Sequence, residues 1–242
     1  MSLGRQMAEE TMCRKQRTCS ELGADPTHWD SRAPLPIPGW FHDELRKFAV
    51  AVAAAADGKV SESACLLEQV RSADLRHWYV EHGQLSGMYR TKLFDLPSPT
   101  APGSALDPLR SPDRYAKEIL TRDGFRCRYC GLGVVPKNVL AAYGKAVGAE
   151  TFRATGTNAE RHGAVLAFRA NVDHVIPWNL GGKTKPENLV TACWACNYGK
   201  AGYTLEQMGL EDPRAYPPEL DDWDGLSSLR ERLQAVAHSE SP

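Results

Sequence analysis

The apolar positions of this chain fall into three stretches of different rhythm. From Trp40 to Ala56, Phe41, Leu45, Phe48, Val52 and Ala55 recur at spacings of three and four, so they share one helical face. Gly58 is a natural stop. A second helix is predicted from Ser61, with Ala64, Leu67 and Val70 inward. A third follows Asp74 as N-cap, with Leu75, Trp78, Tyr79 and His82 on one side and with Gly83 and Gly87 weakening its continuation toward Leu96. The second stretch begins at Ser111, a capping residue with Pro112 at the first helical position. It carries Tyr115, Ile119 and Leu120 and ends near Asp123-Gly124. In the third stretch, Asn138–Val147 reads as a short helix, and Ala164 to Phe168 and Asn171 to Ile176 read as strands. A returning strand starts at Asn188 (NLVTA) and leads through Cys193 to Cys196 into a helix with Asn197 and Lys200 on it. The mixture predicts an α+β fold.

Proline-rich runs divide the pattern. Ser31 to Gly39 and Pro97 to Pro112 exclude regular helix and read as linkers. The expected organisation is a polar segment at 1–39, a small helical unit at 40–96, a linker at 97–111, a main domain at 112–204 and an acidic segment at 205–242. A helical unit of this size is marginal alone and must pack on something. It is the expected place for a homodimer contact or a partner protein. Pro136 to Gly163 is rich in Ala and Gly. In the last segment Leu205, Met208, Leu210, Trp223, Leu226 and Leu229 offer an apolar side, against the simpler expectation of a solvated tail.

Composition is that of an ordinary globular chain, 242 residues with 42% hydrophobic and 24% charged. No apolar run approaches the roughly 20 residues that span a bilayer, and the N-terminus lacks the apolar core of a signal peptide. No membrane association and a cytoplasmic location are expected. The net charge of −1 hides an asymmetry: residues 110–200 hold 14 Lys and Arg against 7 Asp and Glu. A segment at +7 inside a neutral chain points to a polyanionic partner.

Candidate chemistry concentrates in the same segment. Cys127/Cys130 and Cys193/Cys196 form two Cys-x-x-Cys knuckles, while Cys13, Cys19 and Cys65 stand apart as reduced thiols. Four thiolates can surround one ion tetrahedrally, and zinc is the usual occupant, with Zn–S near ~2.3 Å. With every position filled by protein, that zinc is structural; an iron–sulfur cluster or redox dithiols are the alternatives. Between the knuckles lies Asp173-His174, followed closely by Pro177, so a strand end is expected there. A carboxylate suits a hard divalent cation, and a neutral imidazole suits a general base; a hydrogen-bonded structural pair is the plain alternative. Gly181-Gly182 permits a tight loop and a close backbone approach.

The residues RCRYCG, VDHVIP, GG, ENLV, CWACN and GK fall in the order of the HNH endonuclease family, which this stretch resembles over about 90 residues from Tyr115 to roughly Ala201. The resemblance implies a zinc-stapled ββα-metal (His-Me finger) nuclease domain with an N-terminal helical unit. It implies His174 as general base, Asp173 and Asn197 as ligands of a catalytic Mg²⁺ or Mn²⁺, and Asn188 as the residue that braces the loop and orients the base. The last position, often His in the family, is Asn197 here, an HNN form that favours hard ions; the stretch from Cys130 to Asp173 is also longer than the family's, so Pro136 to Gly163 reads as an insertion that contacts DNA or makes a surface excursion. Lys200, Arg169, Lys183 and Arg128 are candidates for holding DNA phosphates. The function expected is a metal-dependent DNA endonuclease in which His174 activates water. The alternatives are a zinc-knuckle module that binds nucleic acid without cutting it, and an interaction protein in which the zinc unit is a scaffold.

Overall fold

The computed structural model describes residues 29–83 and 106–239. The expectations for residues 1–28, for Gly87 to Leu96 and for the proline-rich stretch up to residue 105, with Cys13 and Cys19, lie outside them. Helix α1 (Trp40–Ala56) buries Phe41, Leu45, Phe48, Val52 and Ala55, and Gly58 beyond its end has φ +78°. Helix α2 spans Val60–Leu67 and α3 spans Ser72–Trp78, which continues as a wider turn through Tyr79–Gly83. The cap of α3 is Arg71 rather than Asp74. Asp74 instead sits in the first turn, 3.6 Å from the Arg71 guanidinium, where a carboxylate meets the positive end of the helix dipole.

Helices α4 (Ala116–Arg122) and α5 (Lys137–Val147) follow, and then α6 (Gly163–Phe168), where the sequence pattern predicts a strand. All six residues of α6 are buried, and a run buried on every side carries no period that separates strand from helix. Two local contacts decide in favour of helix. The Nδ1 atom of His162 accepts from Ala164 N–H at 3.2 Å, and Gly163 N–H donates to Ser72 Oγ at 2.8 Å. A Cβ on Gly163 would stand 2.0 Å from the Ser72 carbonyl oxygen, so only glycine lets α6 dock against the start of α3.

Strands β1 (Ala170–His174) and β2 (Leu189–Cys193) form an antiparallel pair in which Asp173 opposes Val190 and His174 opposes Leu189. Helix α7 (Trp194–Lys200) leaves directly from β2, and α8 (Arg230–Ser239) closes the described chain. The fold is α+β, as the sequence pattern predicts.

The helices expected as a separate unit at 40–96 do not pack separately. Phe48 of α1 lies 5.5 Å from Tyr143 and from Phe152, and Phe41 lies 6.4 Å from Phe168. One hydrophobic core runs from Trp29 to Leu233. Fully burying each large side chain stabilises by about 1.5–3 kcal/mol, which three short helices could not gather among themselves. Pro136 to Gly163 is likewise no surface excursion, since Tyr143 and Phe152 sit at the centre of that core. The acidic C-terminal segment is not a solvated tail either. Met208 and Leu233 are fully buried, and α8 packs on α5 and α1. Among the described residues, no helix is long and apolar enough to cross a membrane.

The His162 cap generates a pH prediction. Burial, reinforced by Arg76, lowers its pKa to about 4. The native state therefore holds it neutral while the unfolded chain protonates it near 6.5. The stability it contributes is complete above that value and is lost as pH falls toward 4. Urea denaturation at pH 7.5 and 5.0 should show wild type losing roughly 2 kcal/mol more than His162→Asn over that interval. Equal losses would remove His162 as the titrating group.

Candidate active site

Two loops carry the cysteines. The first knuckle closes through Gly131 N–H to the Cys127 carbonyl at 2.8 Å and docks on β2 through Arg128 N–H to the Thr191 carbonyl at 2.8 Å. Buried Asp123 strengthens that docking by accepting from Thr191 N–H at 2.7 Å. The second knuckle is the turn from β2 into α7, where Cys193 Sγ accepts from Cys196 N–H at 3.4 Å. The result is a cluster in which the sulfurs of Cys127, Cys130, Cys193 and Cys196 lie within 4.8 Å of one another.

The cluster fits a single tetrahedral ion. Sulfurs ~2.3 Å from zinc form a tetrahedron with edges of about 3.8 Å, and Cys130 Sγ stands 3.8 Å from Cys193 Sγ. That spacing leaves no room for a multi-iron cluster. Without a cation, burial and then its three cysteine neighbours hold the Cys196 thiol well above its usual pKa. The four-thiolate state needs a metal such as zinc.

Asp173 and His174 stand at the end of β1, so both side chains line one cavity of about 530 Å³ with Arg110, Ser111, Pro112, Trp178 and Asn179. Ordinary alternation would send neighbours to opposite faces. The loop that follows is tied by one side chain. Asn188 Oδ1 accepts from Ile176 N–H at 2.8 Å, and its Nδ2 donates to the carbonyls of Ile176 and Lys183, each at 3.0 Å. Gly181 supplies a left-handed turn at φ +88°, and a Cβ on Gly182 would stand 1.8 Å from the Ile176 carbonyl oxygen. The Gly-Gly pair is what allows Asn188 to reach both sides of the loop.

The imidazole of His174 has a defined proton. Its Nε2 lies 2.9 Å from Thr184 Oγ1, and that hydroxyl donates to the Leu109 carbonyl. A threonine has one hydroxyl hydrogen, so Nε2–H must be the donor to Thr184 and Nδ1 keeps the lone pair. Burial is the main cause that lowers the His174 pKa; Asp173 opposes it and Lys200 adds to it. The neutral ring with a basic Nδ1 is the resting form at neutral pH.

Asp173 is buried, and both of its contacts fall on one oxygen. Tyr129 O–H donates to Oδ2 at 2.7 Å, and the Lys200 ammonium lies 3.2 Å from the same atom. Neither contact uses Oδ1. A hard ion such as Mg²⁺ keeps several waters and binds through one or two carboxylates plus substrate phosphate, so Asp173 fits such an ion. Asn197 does not share this cavity. It lines a second one, of about 560 Å³, with Tyr79, Asn158, Arg161, Arg169, Asn171, Trp194 and Tyr198.

The four expected phosphate contacts separate. Lys200 is fully buried and donates to the His174 carbonyl at 2.8 Å, so it braces the site from within and meets no solvent. Arg128 spends its guanidinium on the carbonyls of Pro213 and Tyr216, anchoring the C-terminal segment. Lys183 is exposed on the loop, and Arg169 lies in the second cavity. Sequence reasoning missed Tyr129, Thr184, Asp107 and Arg161. Tyr129 sits between the cysteines of a knuckle and Thr184 inside GGKTKPEN, positions with no local signal. Asp107 lies within a proline-rich run, yet its carboxylate accepts from Thr184 N–H at 3.3 Å and its carbonyl from Trp178 Nε1 at 2.8 Å.

A family model described as HNH endonuclease matches residues 163–201, from α6 through β1, β2 and α7. The chain carries an HNH endonuclease domain over that segment, and the first knuckle, outside the match, is joined to it by the cysteine cluster. Searches of curated proteins and of solved structures find no match to this chain.

Two outcomes are expected. Elemental analysis of purified protein should give one zinc per chain, and Cys127→Ser should lose that zinc with a lower melting temperature. A zinc-free variant of unchanged stability would contradict the role of the cluster. Asn188→Ala strands three backbone groups and should lower unfolding free energy by roughly 2–3 kcal/mol; urea titration reads this, and a loss under ~0.5 kcal/mol would show the loop held by other means.

Proposed function

We propose that this protein is a nuclease that hydrolyses phosphodiester bonds of DNA, with His174 as general base. The observation that carries this reading is the Nε2–Thr184–Leu109 hydrogen-bond chain, which leaves a lone pair on Nδ1 beside Asp173, inside the HNH segment. A structural histidine needs no reserved lone pair; a base does. The +7 charge of residues 110–200 supports a polyanionic substrate.

In the reaction, Nδ1 of His174 takes a proton from a water whose oxygen forms the new bond to phosphorus. The bond to the 3′ oxygen breaks, and that oxygen takes a proton from solvent. Asn188 fixes the loop that follows the base. Lys200 holds the His174 carbonyl and Oδ2 of Asp173, which sets the carboxylate orientation. A Mg²⁺ or Mn²⁺ held at Asp173 would supply charge neutralisation for the phosphate. The amide of Asn197, in the second cavity, is not assigned to that ion. Lys183, exposed on the loop, is assigned to the DNA backbone.

The test is cleavage of plasmid DNA with Mg²⁺ or Mn²⁺, with a chelator and His174→Ala as controls. Cutting should depend on the metal, and His174→Ala should lower its rate by about 10²–10⁴-fold with zinc content unchanged. Equal rates for wild type and variant would remove His174 from the role. Binding without cutting, across metals and DNA forms, would leave a nucleic-acid-binding module in place of a nuclease.

A further inference from the structure

The second cavity holds two arginines that no carboxylate among the described residues pairs with directly. The guanidinium carbons of Arg169 and Arg161 lie 4.5 and 5.2 Å from the centre of the Trp194 ring, so two cations share one indole. Both Nε atoms are buried and make no hydrogen bond. Arg161 is held by Asn158 Oδ1 at 2.9 Å, a neutral acceptor, and no carboxylate pairs with either arginine among the described residues. The nearest acidic neighbour in sequence, Glu160, bonds instead to Thr157 and Arg153. Arg76 lies behind them and donates to the Arg161 carbonyl at 2.7 Å. Placing like charges together in a partly buried site is unfavourable unless an anion joins them. Arg169 feels that cost: burial first, and then Arg161, lower its pKa.

The cavity is built for more than a bare ion. The side chains of Asn171 and Asn197 line it, and Tyr198, nearly half exposed, lies 5.9 Å from Trp194 at its rim. Its place in the fold matters as well. Asn171 and Asp173 are two residues apart on β1, so they share a face roughly 6–7 Å apart along the strand. Asn197 and Lys200 are likewise one turn apart on α7, one reaching this cavity and the other bracing Asp173.

We propose that this cavity is a nucleotide subsite of the substrate strand, in which Arg161 and Arg169 clamp a backbone phosphate one or two nucleotides from the bond that is cut. The base attached to that phosphate stacks on Tyr198. The clamp lies beside the Asp173–His174 cavity along β1, so it fixes the register of the strand over the base. Guanidinium pairs suit phosphate oxygens, and aromatic rings accept any base face. The subsite thus positions nucleic acid without reading its sequence. The inference rests on the nuclease reading for its substrate, but it concerns binding and is tested without cutting.

The experiment uses the full chain in its zinc-loaded form, with chelation-resistant zinc verified and no added Mg²⁺ or Mn²⁺. Fluorescence anisotropy measures binding of a labelled DNA oligonucleotide, single-stranded and duplex, at several salt concentrations. Arg161→Gln/Arg169→Gln should weaken binding at least tenfold and reduce the slope of log affinity against log salt by about 1. Tyr198→Ala should weaken binding with that slope unchanged. Lys145→Gln, which removes an exposed cation on α5, should change neither. If the double variant misfolds, wild type supplies the answer: bound oligonucleotide should suppress modification of Arg161 and Arg169 by phenylglyoxal, mapped by mass spectrometry. Wild-type affinity and slope in a folded double variant, unprotected arginines, or no DNA binding by wild type would each overturn the proposal. Loss of slope in a protein that never cuts DNA would sink the nuclease reading and leave the subsite standing.

Discussion

Four sulfur atoms within 4.8 Å of one another, on three buried cysteines and one half-buried one, cannot all be thiolates without a cation between them. That constraint joins two places far apart in the chain, the loop after α4 and the turn from β2 into α7. Each arm of the knot also delivers a group to the site. The first knuckle carries Tyr129 to Oδ2 of Asp173, and the second starts the helix from which Lys200 reaches the same oxygen and the His174 carbonyl. A metal held by these four thiolates would therefore set the orientation of a carboxylate in a different cavity. The energy of metal binding becomes positional accuracy at the site.

The basic charge of residues 110–200 is put to distinct uses. Lys200 is a buried cation whose burial is tolerable because it meets a carboxylate and a carbonyl. Arg128 and Arg126 hold the C-terminal segment, through carbonyls in one case and Asp221 in the other. The acidic segment thereby covers the first knuckle without crossing to the second cavity. Arg161 and Arg169 keep Nε atoms that make no hydrogen bond. A formal +7 therefore overstates the free charge.

Much of the fold was legible where period and punctuation agree. The face of α1, the extent of α5, the β1–β2 hairpin and its exit into α7 follow from spacing and from glycine or proline stops. The strand expected at Ala164 to Phe168 failed because a fully buried helix of six residues has no polar face to show its period. Where the 40–96 helices pack was not legible for a related reason: composition marks where prolines fall, but only packing shows that Phe41 and Phe48 complete a core begun elsewhere. At the site, residue types announced the cysteine cluster and the Asp173-His174 pair. The partners that set proton positions, Thr184, Leu109 and Tyr129, act through a hydroxyl, a backbone carbonyl and a phenol, which no local pattern marks. Asn197 illustrates the opposite limit, because its place in the motif did not predict the cavity onto which it opens.

The Leu109 carbonyl belongs to the end of a proline-rich run and lies outside the 163–201 family match, yet it decides which nitrogen of His174 carries the proton. The recognisable motif is thus smaller than the unit that inheritance must keep intact. Grafted into another host between its own boundaries, the motif would bring its histidine but not the acceptor that fixes the tautomer. Each host would need to evolve a replacement in its flanking chain. Drift of residues 106–112 is then constrained in backbone path rather than in side-chain identity, since a carbonyl from almost any residue could serve.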